Sequence, residues 1–132
     1  MERVVRVSVT IPSDVLDKLE KVMKDMGIRK RSHAISKAVE LFIDENMMMA
    51  KSGEEEGVGT INYIYEHEKE LVDKLLDVQH EHSDIIVSTL HVHLDVERCF
   101  ETLVVRGKME KIRKLIYNLV GMKLKDVSYK IL

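Results

Sequence analysis

The sequence predicts an α+β chain in two parts, a short strand-helix-helix segment followed by a βαββαβ unit. Three observations lead there. Val5, Val7, Val9 and Ile11 alternate with Arg6, Ser8 and Thr10, the period-two pattern of a strand with one apolar and one polar face. A break at residues 50–59, with three glycines, a serine and Glu54-Glu55-Glu56, interrupts the periodic pattern. Beyond it, four strand-like runs are separated by two amphipathic helical ones in the ferredoxin-like order.

In order, Pro12-Ser13-Asp14 opens a helix whose Val15, Leu16, Leu19, Val22, Met23 and Met26 follow helical spacing, and Gly27 stops it. Ser32 has the chemistry of an N-cap for a second helix that carries Ile35, Ala38, Val39, Phe42 and Ile43. After the break come a strand over 60–65, a helix over about 67–82, strands over 85–94 and 99–106, a helix over 108–120 and a strand over 127–132. The expected organisation is a first domain at 1–50, a linker at 51–59 and a second domain at 60–132.

At 132 residues, 45% hydrophobic and 33% charged, the chain has the composition of an ordinary globular protein and not of a disordered or collagenous one. No apolar run approaches the ~18 residues of a membrane span, and the N-terminus lacks the uncharged core of a secretory signal. The single cysteine, Cys99, excludes an intrachain disulfide. The expected location is the cytoplasm.

A net charge of −2 hides an asymmetry: residues 1–37 carry nine Lys/Arg against five acids, a local +4 that leaves −6 for the rest. A polyanion partner would therefore meet the front of the chain. A lone strand cannot satisfy its backbone or bury its apolar face within so small a segment, so two copies are expected to pair antiparallel and turn Arg6, Ser8 and Thr10 outward. Such a two-stranded ribbon fits the major groove of DNA. The plainer reading is an edge strand with a solvated polar face.

Five of the six histidines lie between His67 and His93. Assigning the even positions Ile86, Leu90, Val92 and Leu94 to the helix-covered face puts His91 and His93 side by side on the open face, about 6.5 Å apart along the strand. Cys99 follows after a short connection that returns it to the same end of the sheet. A fourth ligand could come from His80 or His82 at the end of the preceding helix, more readily from a second subunit. Three nitrogens and a thiolate suit Ni(II) or Cu(II) in a square plane and Zn(II) in a tetrahedron, and ligand identity alone does not choose. The bland alternative is a hydrogen-bonded histidine pair beside a buried thiol. Catalysis is disfavoured, since nothing supplies an oxyanion hole for a Cys99–histidine pair. His67 stands near a helix start, where a structural or surface role suffices, and His33, at the start of the second helix, is expected to face solvent or lie near phosphate.

These residues resemble the nickel-responsive transcriptional regulators (NikR) over nearly the whole chain: Arg6-Val7-Ser8-Val9-Thr10, Arg31-Ser32-x-Ala34-Ile35, Tyr63-Ile64-Tyr65-Glu66-His67-Glu68, Gln79-His80-x-His82-x-Asp84, and Thr89-Leu90-His91-Val92-His93-x5-Cys99. The resemblance implies a ribbon-helix-helix DNA-binding domain joined to an ACT-type metal-binding domain, assembled as a homotetramer, a dimer of dimers. It implies Ni(II), one per subunit, held in a square plane by His91, His93 and Cys99 of one subunit and His80 of another, with Zn(II) or Cu(II) as competitors. It further implies a palindromic operator met by Arg6, Ser8 and Thr10, with Ser32 near the DNA backbone, and repression of nickel-uptake genes.

One departure stands out. Where familiar members of that family carry Glu and Asp implicated in a second cation site between the domains, this chain has His33 and Lys37. The Lys37 ammonium could take the charge position of that cation. Rival readings are a ribbon-helix-helix protein with a structural zinc, a metal-buffering or small hydrolytic protein, and an ACT-type amino-acid sensor.

Overall fold

The computed structural model describes residues 3–132. Its elements are α1 (Ser13–Met26), α2 (Arg31–Ala50), β1 (Glu56–Glu66), α3 (Lys69–Glu81), β2 (Ile86–His93), β3 (Arg98–Lys108), α4 (Met109–Val120) and β4 (Lys125–Ile131). The chain divides into two compact units, and the division falls inside α2 between Asp44 and Glu45. No helix among the described residues is long and apolar enough to cross a membrane.

In the first unit, the Pro12 carbonyl accepts the first helical hydrogen bond, from Leu16 N–H at 3.0 Å. Gly27, at φ +71°, ends α1. The paired bonds Gly27 N–H to Lys24 O and Ile28 N–H to Met23 O complete a Schellman stop. α2 begins at Arg31, so Ser32 lies within its first turn and is not the expected N-cap; the Lys30 carbonyl receives the first bonds, from His33 and Ala34. The helix starts early where the Arg31 guanidinium is held by Glu20 of α1. The strand expected over Val5–Ile11 does not form in the single chain: residues 3–12 carry no regular structure, and Val5, Val7 and Val9 are exposed. A strand is defined by a partner, and no second edge is within this segment.

The second unit is a four-stranded antiparallel sheet of order β2-β3-β1-β4, the topology expected from βαββαβ. β1 is one of the two inner strands, pairing with β3 from Glu56↔Lys108 to Glu66↔Arg98 and with β4 on its other side. It starts at Glu56, four residues before the expected Thr60, because Gly57 and Gly59 belong to the sheet. A side chain at Gly59 would overlap the Lys130 carbonyl oxygen, and one at Gly57 would strike Met109 and Ile131. The glycines that looked like linker punctuation serve close strand and helix approach.

α3 and α4 pack on one face of the sheet. Leu71 and Leu75 of α3 meet Ile112, Leu115, Ile116 and Leu119 of α4 over Ile61 and Tyr63 of β1 and Leu103 and Val105 of β3. Each such aliphatic side chain removed from water contributes about 1.5–3 kcal/mol. The odd-numbered residues of β1 and β3 therefore face the helices, and with them Tyr65, Cys99 and Glu101.

β2 is the edge strand beside β3, and its register contains the main difference from expectation. Ile86 pairs with Val105 but Ser88 pairs with Val104, so Val87 is a bulge. One extra residue exchanges the two sides of a strand. Beyond the bulge His91 pairs with Glu101 and His93 with Cys99, on the helix side of the sheet. The assignment of Leu90, Val92 and Leu94 to the helix-covered face is thus reversed, and all three are exposed.

Candidate metal centre

His91, His93 and Cys99 converge at the β2 end of the sheet, with one donor atom from each lying within 4.8 Å of the other two. Antiparallel pairing sets them there: His93 is the direct cross-strand partner of Cys99, and His91 follows two residues away on the same side. The Cys99 sulfur lies 3.5 Å from His93 Nδ1. The two imidazoles meet edge to face, centroids 4.9 Å apart. Cys99 is 1% exposed, whereas both histidines stand on the open edge strand, so the cluster has a buried floor and a solvent-facing side.

The hairpin that delivers Cys99 is held by Asp95. Its carboxylate accepts from Glu97 N–H and Arg98 N–H at 2.9 and 2.7 Å and from Arg98 Nε at 2.8 Å. The Arg98 hydrogen bond keeps the Asp95 carboxyl below its usual range.

Behind His91 lies a network that the sequence reading did not name as part of the site. Glu101 is buried on the apolar face of β3 and accepts from Tyr63 Oη, Gln79 Nε2 and His91 Nδ1, the last at 3.1 Å. Gln79 Nε2 also donates to Tyr63 Oη at 3.0 Å, and Tyr65 Oη lies 3.2 Å from His91 Nδ1. Three donors offset the cost of burying one carboxylate. Since a carboxylate oxygen accepts, His91 carries its proton on Nδ1 and leaves the Nε2 lone pair for a metal. Burial, then the hydrogen bond and charge of Glu101, raise the Tyr63 hydroxyl far above its ordinary pKa; burial and the same charge raise that of Tyr65. Both stay protonated. The legible signal was Glu101 itself, a lone acid in the alternating series Cys99, Leu103, Val105.

The other sequence-selected residues stand apart from this group. His80 is exposed in the last turn of α3, one position beyond the inward-reaching Gln79 and so about 100° further round the helix. His82 Nε2 accepts from Asn118 Nδ2 of α4 at 2.9 Å. Arg6, Ser8, Thr10, Ser32, His33 and Lys37 are exposed in the first unit.

Two imidazole nitrogens and a thiol, spaced as donors to one ion must be, suit a borderline divalent metal better than Mg(II) or Ca(II), which take oxygen. The comparison with protein families agrees, matching residues 58–130 to the NikR C terminal nickel binding domain. This chain belongs to the NikR family. A provisionally named nickel-responsive regulator of Dictyoglomus turgidum is 41% identical over 124 residues, covering 93% of this chain and 90% of its own. One from Pyrococcus abyssi is 39% identical over 120 residues, covering 90% and 86%. One from Geotalea uraniireducens is 38% identical over 124 residues, covering 93% and 88%. Among solved structures, an uncharacterized protein from Thermotoga maritima superposes with TM-score 0.51 at 16% identity, over 59% of this chain and 96% of that one, a likeness of fold alone.

Nickel fits the residues present. His91 Nε2, His93 and the Cys99 thiolate would hold it, with Glu101 fixing the His91 ring from behind.

Proposed function

We propose that the chain is a nickel-responsive DNA-binding regulator that represses nickel-uptake genes in the cytoplasm. The observation that carries this reading is the His91, His93 and Cys99 cluster in a chain of the NikR family. It supplies three donors. The fourth is His80 of a second copy, one Ni(II) per subunit, within a homotetramer built as a dimer of dimers. His80 suits that role because it is exposed, in a turn whose neighbour Gln79 already occupies the inward direction.

The first domain, 1–50, acts as a ribbon-helix-helix dimer, and the second, 60–132, joined to it through 51–59, acts as the ACT-type metal-binding core. Support comes from the first unit: among its described residues Met23 and Ala34 are buried, while Val5, Val7, Val9, Val15 and Val22 are exposed. A second copy would cover that surface, pair the two 3–12 segments and present Arg6, Ser8 and Thr10 to a palindromic operator, with Ser32 at the DNA backbone.

His91, His93 and Cys99 of one copy and His80 of another would together hold Ni(II) and so tie the two copies to each other. The residues that donate to it from two chains favour those arrangements in which all can reach, and a DNA-competent arrangement among them gains the same free energy. Metal tightens DNA binding and DNA tightens metal binding by an equal factor. Zn(II) and Cu(II) compete for the same donors.

The test is a selection from random duplexes with nickel present, followed by titration of the selected duplex with nickel, zinc or chelator. Nickel-dependent, salt-sensitive binding that Arg6→Ala abolishes, with metal uptake intact, is the expected result. Affinity indifferent to nickel would favour a structural-zinc protein, and absence of duplex binding a metal-buffering one.

A further inference from the structure

We infer that Arg113 is the positioning residue that makes the end of α2 part of the metal-binding unit, and that the nickel response at DNA depends on it. The inference rests on the nickel-responsive DNA-binding reading above.

Helix ends leave carbonyls without partners, and the last turn of α2 contains no basic residue to meet them. Among the described residues, two that follow the helix have their donors engaged elsewhere. Ser52 N–H, which would reach the Met48 carbonyl if the helix continued, donates instead to Glu55 Oε2 at 3.1 Å, and Lys51 Nζ reaches Glu56 O at 3.5 Å. The missing donor comes from 62 and 65 residues further along the chain: Arg113 Nη2 of α4 donates to Met48 O at 2.7 Å and to Lys51 O.

Arg113 is half-buried beside Ile112, whose side chain is fully enclosed in the core. The Met48 side chain is itself buried in the same apolar cluster as Ile112, Leu115 and Cys99. So the last turn of α2 is attached twice, by an apolar anchor and by a guanidinium at its carbonyl end. The attachment has a cost, for Arg113 Nε is buried without an acceptor among the described residues. A surface arginine would not be held that way, and the placement that strands Nε is the one that lets Nη2 bridge two carbonyls.

α2 is the single helix that leads from the first unit into the second. If its last turn is welded to α4, restriction of the metal-binding unit passes along a stiff rod. If that turn frays, the same restriction is lost in a flexible joint, and metal and DNA sites become independent.

The test uses the full chain with Arg113→Met and Arg113→Lys, Ni(II) as the probe, and the selected duplex. Expected for Arg113→Met are unchanged nickel stoichiometry and thiolate absorption, faster amide hydrogen exchange over residues 47–52, and a nickel-induced gain in DNA affinity smaller by about tenfold. Arg113→Lys, with a charge but no planar fork, should recover part of that gain. Unchanged exchange over 47–52, or a full nickel-induced gain in either variant with faster exchange, overturns the inference. So does parallel loss of nickel uptake in Arg113→Lys, which would make the residue a general structural support. A wild-type chain with no nickel-dependent DNA binding would defeat the functional reading instead, while the exchange measurement would still show whether Arg113 holds the turn.

Discussion

His91 and Glu101 face one another across the β2–β3 pair, with Nδ1 of the imidazole 3.1 Å from Oε2 of the buried carboxylate. That one contact sets the tautomer of a candidate metal donor and ties it to α3 through Gln79 and to β1 through Tyr63. Glu101→Gln keeps the shape but removes the charge that orients the ring. Nickel affinity should fall by about 10–100-fold, the usual effect of losing such a supporting partner. The thiolate absorption at saturation should persist because Cys99 is untouched. Competition against a chelator measures the loss, and wild-type affinity would count against the orienting role.

Cys99→Ala tests the donor set itself. The sulfur sits 1% exposed in the core cluster, so its removal leaves a small cavity costing about 1 kcal/mol, too little to unfold the domain. The thiolate-to-metal absorption should vanish, and the gain in thermal stability on adding nickel should shrink with it. A variant that still shows the wild-type absorption spectrum would remove Cys99 from the site.

Gly59→Ala should destabilise the second unit by about 1–3 kcal/mol through overpacking, because a new Cβ meets the Lys130 carbonyl of β4 rather than a movable side chain. Denaturant unfolding gives the number. Exchange of the β4 amides should rise more than that of β2, which pairs on the far side of β3.

Lys111 on α4 donates to Asp84 in the turn before β2 at 2.6 Å, and this hydrogen bond holds the Asp84 carboxyl below its ordinary pKa. The contribution to stability is complete above the unfolded carboxylate value, about 3.9, and disappears as pH falls through the lower folded value. Both side chains are solvent-exposed, so the effect is small and salt-sensitive. Wild type should exceed Asp84→Asn in Tm by a constant margin from neutral pH to about pH 5, and the margin should close in stronger acid. Carboxyl NMR of Lys111→Met should show the Asp84 titration moved upward, toward its ordinary value.

Much of this molecule is legible in one dimension. Alternation and helical spacing located both helices of the second unit and its four strands to within a few residues, and the spacing His91-x-His93-x5-Cys99 singled out the three residues that the sheet brings together. Gly27 was readable as a stop because a left-handed helix end needs a residue without a side chain. Residue identity carried those features, since periodicity and turn chemistry are local.

Tertiary structure decided which way the site faces. The sequence of β2 alternates from Thr89 to Leu94 but begins with the apolar run Ile85-Ile86-Val87, which does not reveal that Val87 is accommodated as a bulge, and a strand of period two exchanges its faces whenever one residue drops out of register. His91 and His93 thereby join Cys99 on the side that also holds Glu101, Tyr63 and Tyr65, where a buried carboxylate lies within hydrogen-bond reach of the His91 imidazole. In the same way Gly57 and Gly59 became strand, and Arg113 became the cap of a helix that ends 63 positions before it, because what a glycine or an arginine does depends on the backbone folded against it, which no local pattern contains.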